Sequence, residues 1–223
     1  MTTLKSKNQG GFSLLELMVA MVVMLILMGI VSQLLAGSLS IRARESQKTD
    51  ALSSAQAALN VMSRDISNSG FGIYSGASSR LASNGIIAVD SNANRLHLRA
   101  NINNTGPITV PAGSTVLSTN LPGEDITYFL DAATDSIVRF DPNDNPQTSV
   151  LVNRISSVTF TYFDYSGSSS AGTVVTTPTN NTGRVRITLI VRLDPVYGQP
   201  NPSSVTFTSD VTLRNSNYML NQY

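Results

Sequence analysis

Three hydropathy patterns succeed one another along the chain. From Phe12 to Ala36 nearly every side chain is apolar: these 25 residues include one charge, Glu16, and few other polar side chains, Ser13, Ser32 and Gln33. A run of that length is sufficient to span a bilayer as a helix. No proline occurs before Pro107, so nothing forces the helix to stop where the apolar run ends. Leu52, Ala55, Leu59, Met62 and Ile66 then recur at spacings of three and four, which predicts one apolar stripe on an otherwise polar helix. Asn68-Ser69-Gly70 supplies a stop, with Gly70 suited to a left-handed C-terminal cap. A helix from Phe12 to about Ser67 would measure some 80 Å at ~1.5 Å per residue, with Gly29 and Gly37 the favoured places for bending.

Beyond Gly70 the period changes to two. Val185, Ile187, Leu189, Val191 and Leu193 alternate with more polar positions, and Val205, Phe207, Val211 and Leu213 repeat the device with Ser209 as the exception. Ile126, Tyr128 and Leu130, then Asp131 to Asp135, then Ile137 to Phe140 read as a hairpin. Val158, Phe160 and Tyr162 predict a further strand, and the polar stretch from Ser166 to Gly183 an exposed loop. The fold class is therefore α+β, an antiparallel sheet laid across the stripe of a long N-terminal helix.

The segment ahead of the apolar run is polar and basic through Lys5 and Lys7 and closes on Gln9-Gly10-Gly11. An ordinary secretory signal carries a shorter apolar run, about 7–15 residues, followed by small residues at a cleavage site, so the leader is of another kind. Glycine ahead of an apolar helix interrupts helix propagation and leaves the backbone open to a protease. A cut after Gly11 would make Phe12 the new amino terminus. Glu16 then needs an explanation, because a carboxylate in an apolar span costs roughly 2.5–3.5 kcal/mol on insertion scales. Four residues beyond Phe12, it would share a helical face with that residue, and the freed α-amino group of a neighbouring chain would neutralise it. The same residue is also compatible with an uncleaved anchor whose Glu16 sits at the membrane interface near the helix N-terminus. Basic residues flank both sides of the run, Lys5 and Lys7 before it and Arg42, Arg44 and Lys48 after it, so charge alone does not orient the span.

Gly11-Phe12-Ser13-Leu14-Leu15-Glu16-Leu17-Met18-Val19-Ala20 resembles the prepilin signature of type IV pilins and type II secretion pseudopilins. The resemblance implies cleavage after Gly11 by a membrane prepilin peptidase, N-methylation of Phe12 and a subunit-packing role for Glu16. It implies a ladle-shaped molecule: leader 1–11, membrane-spanning half-helix 12–36, amphipathic half-helix 37–70 and β-rich globular domain 71–223. It also implies a single-pass protein of the inner membrane with an exported C-terminal body, its partners being other pilins and an inner-membrane assembly platform. Leu59 to Ile66 leading into Ser69-Gly70-Phe71-Gly72, with the Tyr128 hairpin and Val211 to Asn215, is similar to W-type minor pilins. J-type pseudopilins share this layout. In that family setting Arg64 and Asp65 read either as an interface pair or, preferably, as part of a solvated helix face.

Composition narrows the remaining chemistry. There is no cysteine, which excludes disulfides and thiolate chemistry and also sets the chain apart from major pilins with a disulfide loop. Charged residues make up 13% and the net charge is +1, which offers no basic footprint for nucleic acid. The single histidine, His97, lies in an Arg-Leu-His-Leu-Arg alternation that places it on the polar face of a strand as an exposed structural residue. Asp141, Asn143 and Asn145 begin like a calcium loop, but Pro146 stands where an EF-hand needs glycine and Val152 where it needs glutamate, so a proline-bounded turn is the better reading. Hydrolase, phosphate-loop and zinc-peptidase motifs are absent. The expectation is a non-enzymatic minor pilin without cofactor or metal that acts in pilus assembly or initiation, with adhesion or DNA uptake as added roles. The alternatives are a J-type pseudopilin and an unprocessed single-span envelope receptor or enzyme.

Overall fold

A computed structural model describes residues 11–75, 81–82, 84–103, 108–110, 119, 121–166, 171–195 and 203–220. In chain order the elements are α1 (Leu14–Asn68), β1 (Ile73–Ser75), β2 (Leu81–Ala82), a 3₁₀ turn (Ala88–Asp90), β3 (Arg95–Arg99), β4 (Ile108–Val110), β5 (Asp125–Asp131), β6 (Ser136–Phe140), β7 (Thr148–Val152), β8 (Ile155–Asp164), β9 (Thr173–Val175), β10 (Thr182–Leu193), β11 (Ser203–Thr212) and α2 (Asn217–Leu220). Among the described residues the chain falls into two compact units, one ending at Ser46 and the other beginning at Gln47.

The first unit holds the apolar part of α1. The helix runs unbroken through Gly29 and Gly37, the positions where bending was expected. Two of its hydroxyls are satisfied locally: that of Ser32 donates to the Met28 carbonyl at 2.7 Å and that of Ser40 to the Gly37 carbonyl at 2.8 Å.

The second unit owns the core. Ala51, Ala55, Ala58, Leu59, Met62 and Ile66 of α1 are buried in one cluster with apolar residues of β3, β5, β6, β8, β10 and β11. The stripe differs from expectation at its start, where Leu52 is 48% exposed and Ala51 is buried instead. One residue along a helix turns the side chain by about 100°, and the buried row through Ala51, Ala55 and Ala58 keeps small residues where the helix approaches the sheets.

The single expected antiparallel sheet is resolved into several. One four-stranded sheet has the order β3-β5-β6-β7 and another β11-β10-β8-β9, both antiparallel throughout. A third, three-stranded sheet has the order β2-β1-β4, in which β1 and β4 run parallel. Period-two alternation marks which face of a strand is buried and leaves its partner strand open, so the division into sheets was not encoded in the pattern. The stretch expected to be a loop from Ser166 to Gly183 instead contains β9 and the start of β10, with Thr182 fully buried; residues 167–170 lie outside the described residues. Its side chains from Ala171 to Asn181 are mostly exposed, in keeping with the expectation, while Pro178, Thr182 and Gly183 are buried. Asn84 Nδ2 donates to the Thr179 and Thr182 carbonyls at 2.7 and 3.1 Å, and the Thr179 hydroxyl donates to Asp164.

The end of α1 is built as its residues require. Gly70 adopts φ 78°, the left-handed conformation expected of it, and its N–H donates to the Arg99 carbonyl at 2.8 Å. Gly85 packs so closely here that a Cβ would lie 2.1 Å from the Gly70 nitrogen. The C-terminal segment supplies donors to the last turn: Arg214 N–H to the Ser67 carbonyl at 3.3 Å and Asn215 Nδ2 to that of Ser69 at 2.9 Å.

Asp65 corrects the preferred reading of a solvated pair. Its side chain is only 9% exposed, whereas that of Arg64 is 68% exposed. The carboxylate accepts from the Tyr128 hydroxyl on β5 at 2.6 Å and from Arg139 Nε on β6 at 3.3 Å. Burial pushes the Tyr128 phenol well above its ordinary value, and the neighbouring carboxylate adds to the shift, so it remains a donor. Asp65→Ala would strand both donors and should destabilise the body by about 2–4 kcal/mol, with Tyr128→Phe costing about 1–3 kcal/mol, as read by urea unfolding; equal stability of all three proteins would refute the clamp.

Candidate functional site

The sequence-derived site residues lie at the start of α1. Gly11, Phe12 and Ser13 precede the helix, whose first bond runs from the Leu17 N–H to the Ser13 carbonyl at 3.1 Å. The helix thus opens at Leu14, two residues later than expected, because the Gly11 backbone does not favour helix and Ser13 serves as the residue at its mouth. Phe12 and Glu16 are consequently not stacked one turn apart on a helical face. A Cβ built on Gly11 meets no atom within 4 Å, so nothing among the described residues demands glycine there.

Glu16 lies in the first turn of α1, where free backbone N–H groups favour a negative charge. Among the described residues it has no hydrogen bond or ion pair, and it is exposed. Around it Phe12 is 85% exposed, and Leu14, Leu15, Leu17 and Met18 are all exposed as well. The helix is long and apolar enough to cross a membrane, and none of its most apolar 18-residue window is buried within the protein. A carboxylate set in a wholly uncovered apolar surface is chemically suited to pairing with a cation brought by whatever covers that surface.

The titratable groups of the body do not converge on a reactive centre. His97, expected to be exposed, is half-buried on β3 between Leu96 and Leu98, with only 12% of its side chain accessible. Its Nδ1 lies 2.8 Å from Asp90 Oδ2 and its Nε2 2.6 Å from Asp125 Oδ1. Strand alternation gave the polar face correctly, but the acids that cover His97 arrive from the 3₁₀ turn and from β5. The nearby Ser91 hydroxyl is bound to the His97 backbone, accepting from its N–H at 3.0 Å. Asp125 also meets Arg99 Nε at 3.0 Å. Burial works against its ionisation, yet the hydrogen bond and charge of His97, joined by Arg99, hold its carboxyl below the usual value.

Asp141, the first residue of the possible calcium loop, is fully buried. Its carboxylate accepts from the Gly123 N–H at 2.6 Å and the Asn143 N–H at 3.0 Å, with Arg139 at 3.6 Å. Among the described residues no cluster of three or more acids and histidines is placed to hold a metal.

The model of the prokaryotic N-terminal methylation motif matches residues 6–32, which include Gly11, Phe12, Glu16 and most of the apolar run. The match supports a type IV pilin-like protein and implies processing by prepilin peptidase. No curated protein and no solved structure matches the chain.

The Asp125 environment carries a pH signature. A carboxyl whose folded value is depressed contributes stability above its unfolded value near 3.8 and loses it as pH falls through the folded value. The stability difference between the native protein and Asp125→Asn should therefore be full above about pH 5 and shrink below about pH 4, followed by urea unfolding across that range. A difference independent of pH would contradict the arrangement.

Proposed function

We propose that this chain is a minor subunit of a type IV pilus that acts in pilus assembly or initiation. The observation that carries the reading is a methylation-type motif on an uncovered apolar run, residues 12–36, whose one carboxylate, Glu16, has no side-chain partner among the described residues. Residues 1–11 form the leader, cleavage falls between Gly11 and Phe12, and Phe12 receives the methyl group. Residues 12–36 hold the subunit in the inner membrane, 37–70 form the amphipathic half-helix, and 71–223 form the exported body. An assembly platform then draws the helix out of lipid and into contact with the helices of other pilins. There the methylated amino group at Phe12 of one subunit neutralises Glu16 of the next.

Minor rather than major status is supported by the cysteine-free composition and by the W-type resemblance around Leu59 to Gly72. A pseudopilus subunit of the J type would use the same helix chemistry. The two separate by where the mature chain is found, in sheared surface fibres or in a periplasmic pseudopilus.

Edman sequencing of the membrane-bound protein from cells containing prepilin peptidase should begin at a methylated Phe12. Retention of Met1 would sink the proposal in favour of an unprocessed envelope receptor or enzyme. Gly11→Val should abolish processing. Glu16→Ala should still be cleaved, yet its amount in sheared filaments should fall at least tenfold, measured by immunoblot against membrane-bound protein.

A further inference from the structure

A groove of about 330 Å³ lies within the second unit, between α1 and the ends of β7 and β10. Its size is at the small end of the range for sites that hold small molecules, about 300–1,000 Å³. α1 lines it with Gln47, Asp50, Ala51 and Ser54, a spacing that sets all four on one side of the helix. The strands line it with Val152 on β7 and with Val191 and Leu193 on β10, all buried.

The polar groups around the groove are unevenly matched. Arg154 gives its guanidinium to Asp194 at 2.9 Å, and Arg192 gives its own to Asp135 at 2.6 Å. Among the described residues Asp50 takes part in no hydrogen bond or ion pair, so its carboxylate is the charge left over. One turn away, Gln47 Oε1 is buried and has no hydrogen-bond partner. A buried carbonyl oxygen without a donor is rare in folded proteins and costly, so it marks a place where a donor belongs. The strand side of the groove is held in shape by its backbone. Arg154 adopts φ 63°, a left-handed conformation uncommon for arginine, and its carbonyl accepts from the Arg192 N–H at 2.8 Å.

We propose that this groove binds a primary ammonium on an unbranched aliphatic stem, the chemistry of a lysine side chain or of a short free diamine. The ammonium donates to the Asp50 carboxylate and to Gln47 Oε1, and the stem lies along Val152, Val191 and Leu193. An ammonium has three donors to share between two separate side chains, whereas a guanidinium is shaped for both oxygens of one carboxylate. A single carboxylate beside apolar walls also suits an organic cation better than calcium, which takes roughly 6–8 oxygen ligands. The same unpaired Asp50 turns anions away.

The absence of cysteine makes the test direct. Ser54→Cys places a thiol on the helix side of the groove in the full-length chain, purified in a neutral detergent, and its reaction with methyl methanethiosulfonate is timed. Saturating putrescine or butylamine, both charged at neutral pH, should slow that reaction several-fold, while pentanoate and butanol should not. Val174→Cys, on β9 and outside the groove, should react at one rate throughout. Adding Asp50→Asn to the Ser54→Cys protein should raise the half-protecting amine concentration about tenfold, and adding Gln47→Leu several-fold, with circular dichroism unchanged. Stronger protection by putrescine than by butylamine would identify a free diamine as the ligand, and equal protection by both a lysine side chain. Absence of protection, equal protection by pentanoate or butanol, or protection untouched by Asp50→Asn would overturn the proposal.

Discussion

Burying one large apolar side chain contributes about 1.5–3 kcal/mol, and α1 presents such side chains to its surroundings at nearly every position from Phe12 to Leu35. The sum is tens of kcal/mol, larger than the net stability of a typical domain, so the state of this segment is decided by what displaces water from it. A bilayer does so without specificity. A bundle of neighbouring helices does so with shape, and it can also supply the cation that Glu16 lacks. The exchange between these two environments costs little in apolar burial, because lipid and helix surfaces are similarly apolar. On the proposed function, Glu16 is the term that distinguishes them, because a lone carboxylate is costly in lipid and neutralised beside a cation.

The body resolves the same problem internally. Asp65 reaches a place where water is scarce, and it is held there because Tyr128 and Arg139 both donate to it. Arg139 leads on to Asp141, and Asp141 to the Gly123 backbone ahead of β5. One acid on the last turns of α1 is thereby linked to β5, β6 and the segment preceding β5. Buried polar groups of this kind hold elements in one arrangement only while every partner is present.

What could be read from the sequence follows from how far apart the interacting residues stand. The apolar run, the stop at Gly70 and the strands through Val185–Leu193 and Ile126–Leu130 rest on neighbours a few residues away, and the structure bears them out. Asp65 meets Tyr128 63 residues later and Arg139 74 residues later, which no local pattern encodes. His97 was placed on the right face of its strand, but its cover comes from Asp125, 28 residues on. The parallel pairing of β1 with β4 is hidden for the same reason, since each strand is only 3 residues long and neither has enough alternation to announce itself. The motif at the helix start was legible because its chemistry is local: a glycine, an aromatic residue, one acid and an apolar run at fixed spacing.

Charge in the body is largely spent within the chain. Arg95 faces Asp90, Arg99 faces Asp125, Arg154 faces Asp194, Arg186 faces Asp210 and Arg192 faces Asp135. The more exposed of these pairs add little to stability, on the order of 0–1 kcal/mol each, but they cancel the long-range field of a surface that is already poor in charge. A molecule with so weak a field gains little from electrostatic steering, so its contacts have to be selected at short range. On the proposed function, the apolar run with Glu16 meets that requirement without a net charge: it rewards the alignment that brings a cation to the acid and gives little to a near miss, which is the property an ordered assembly requires of its subunits.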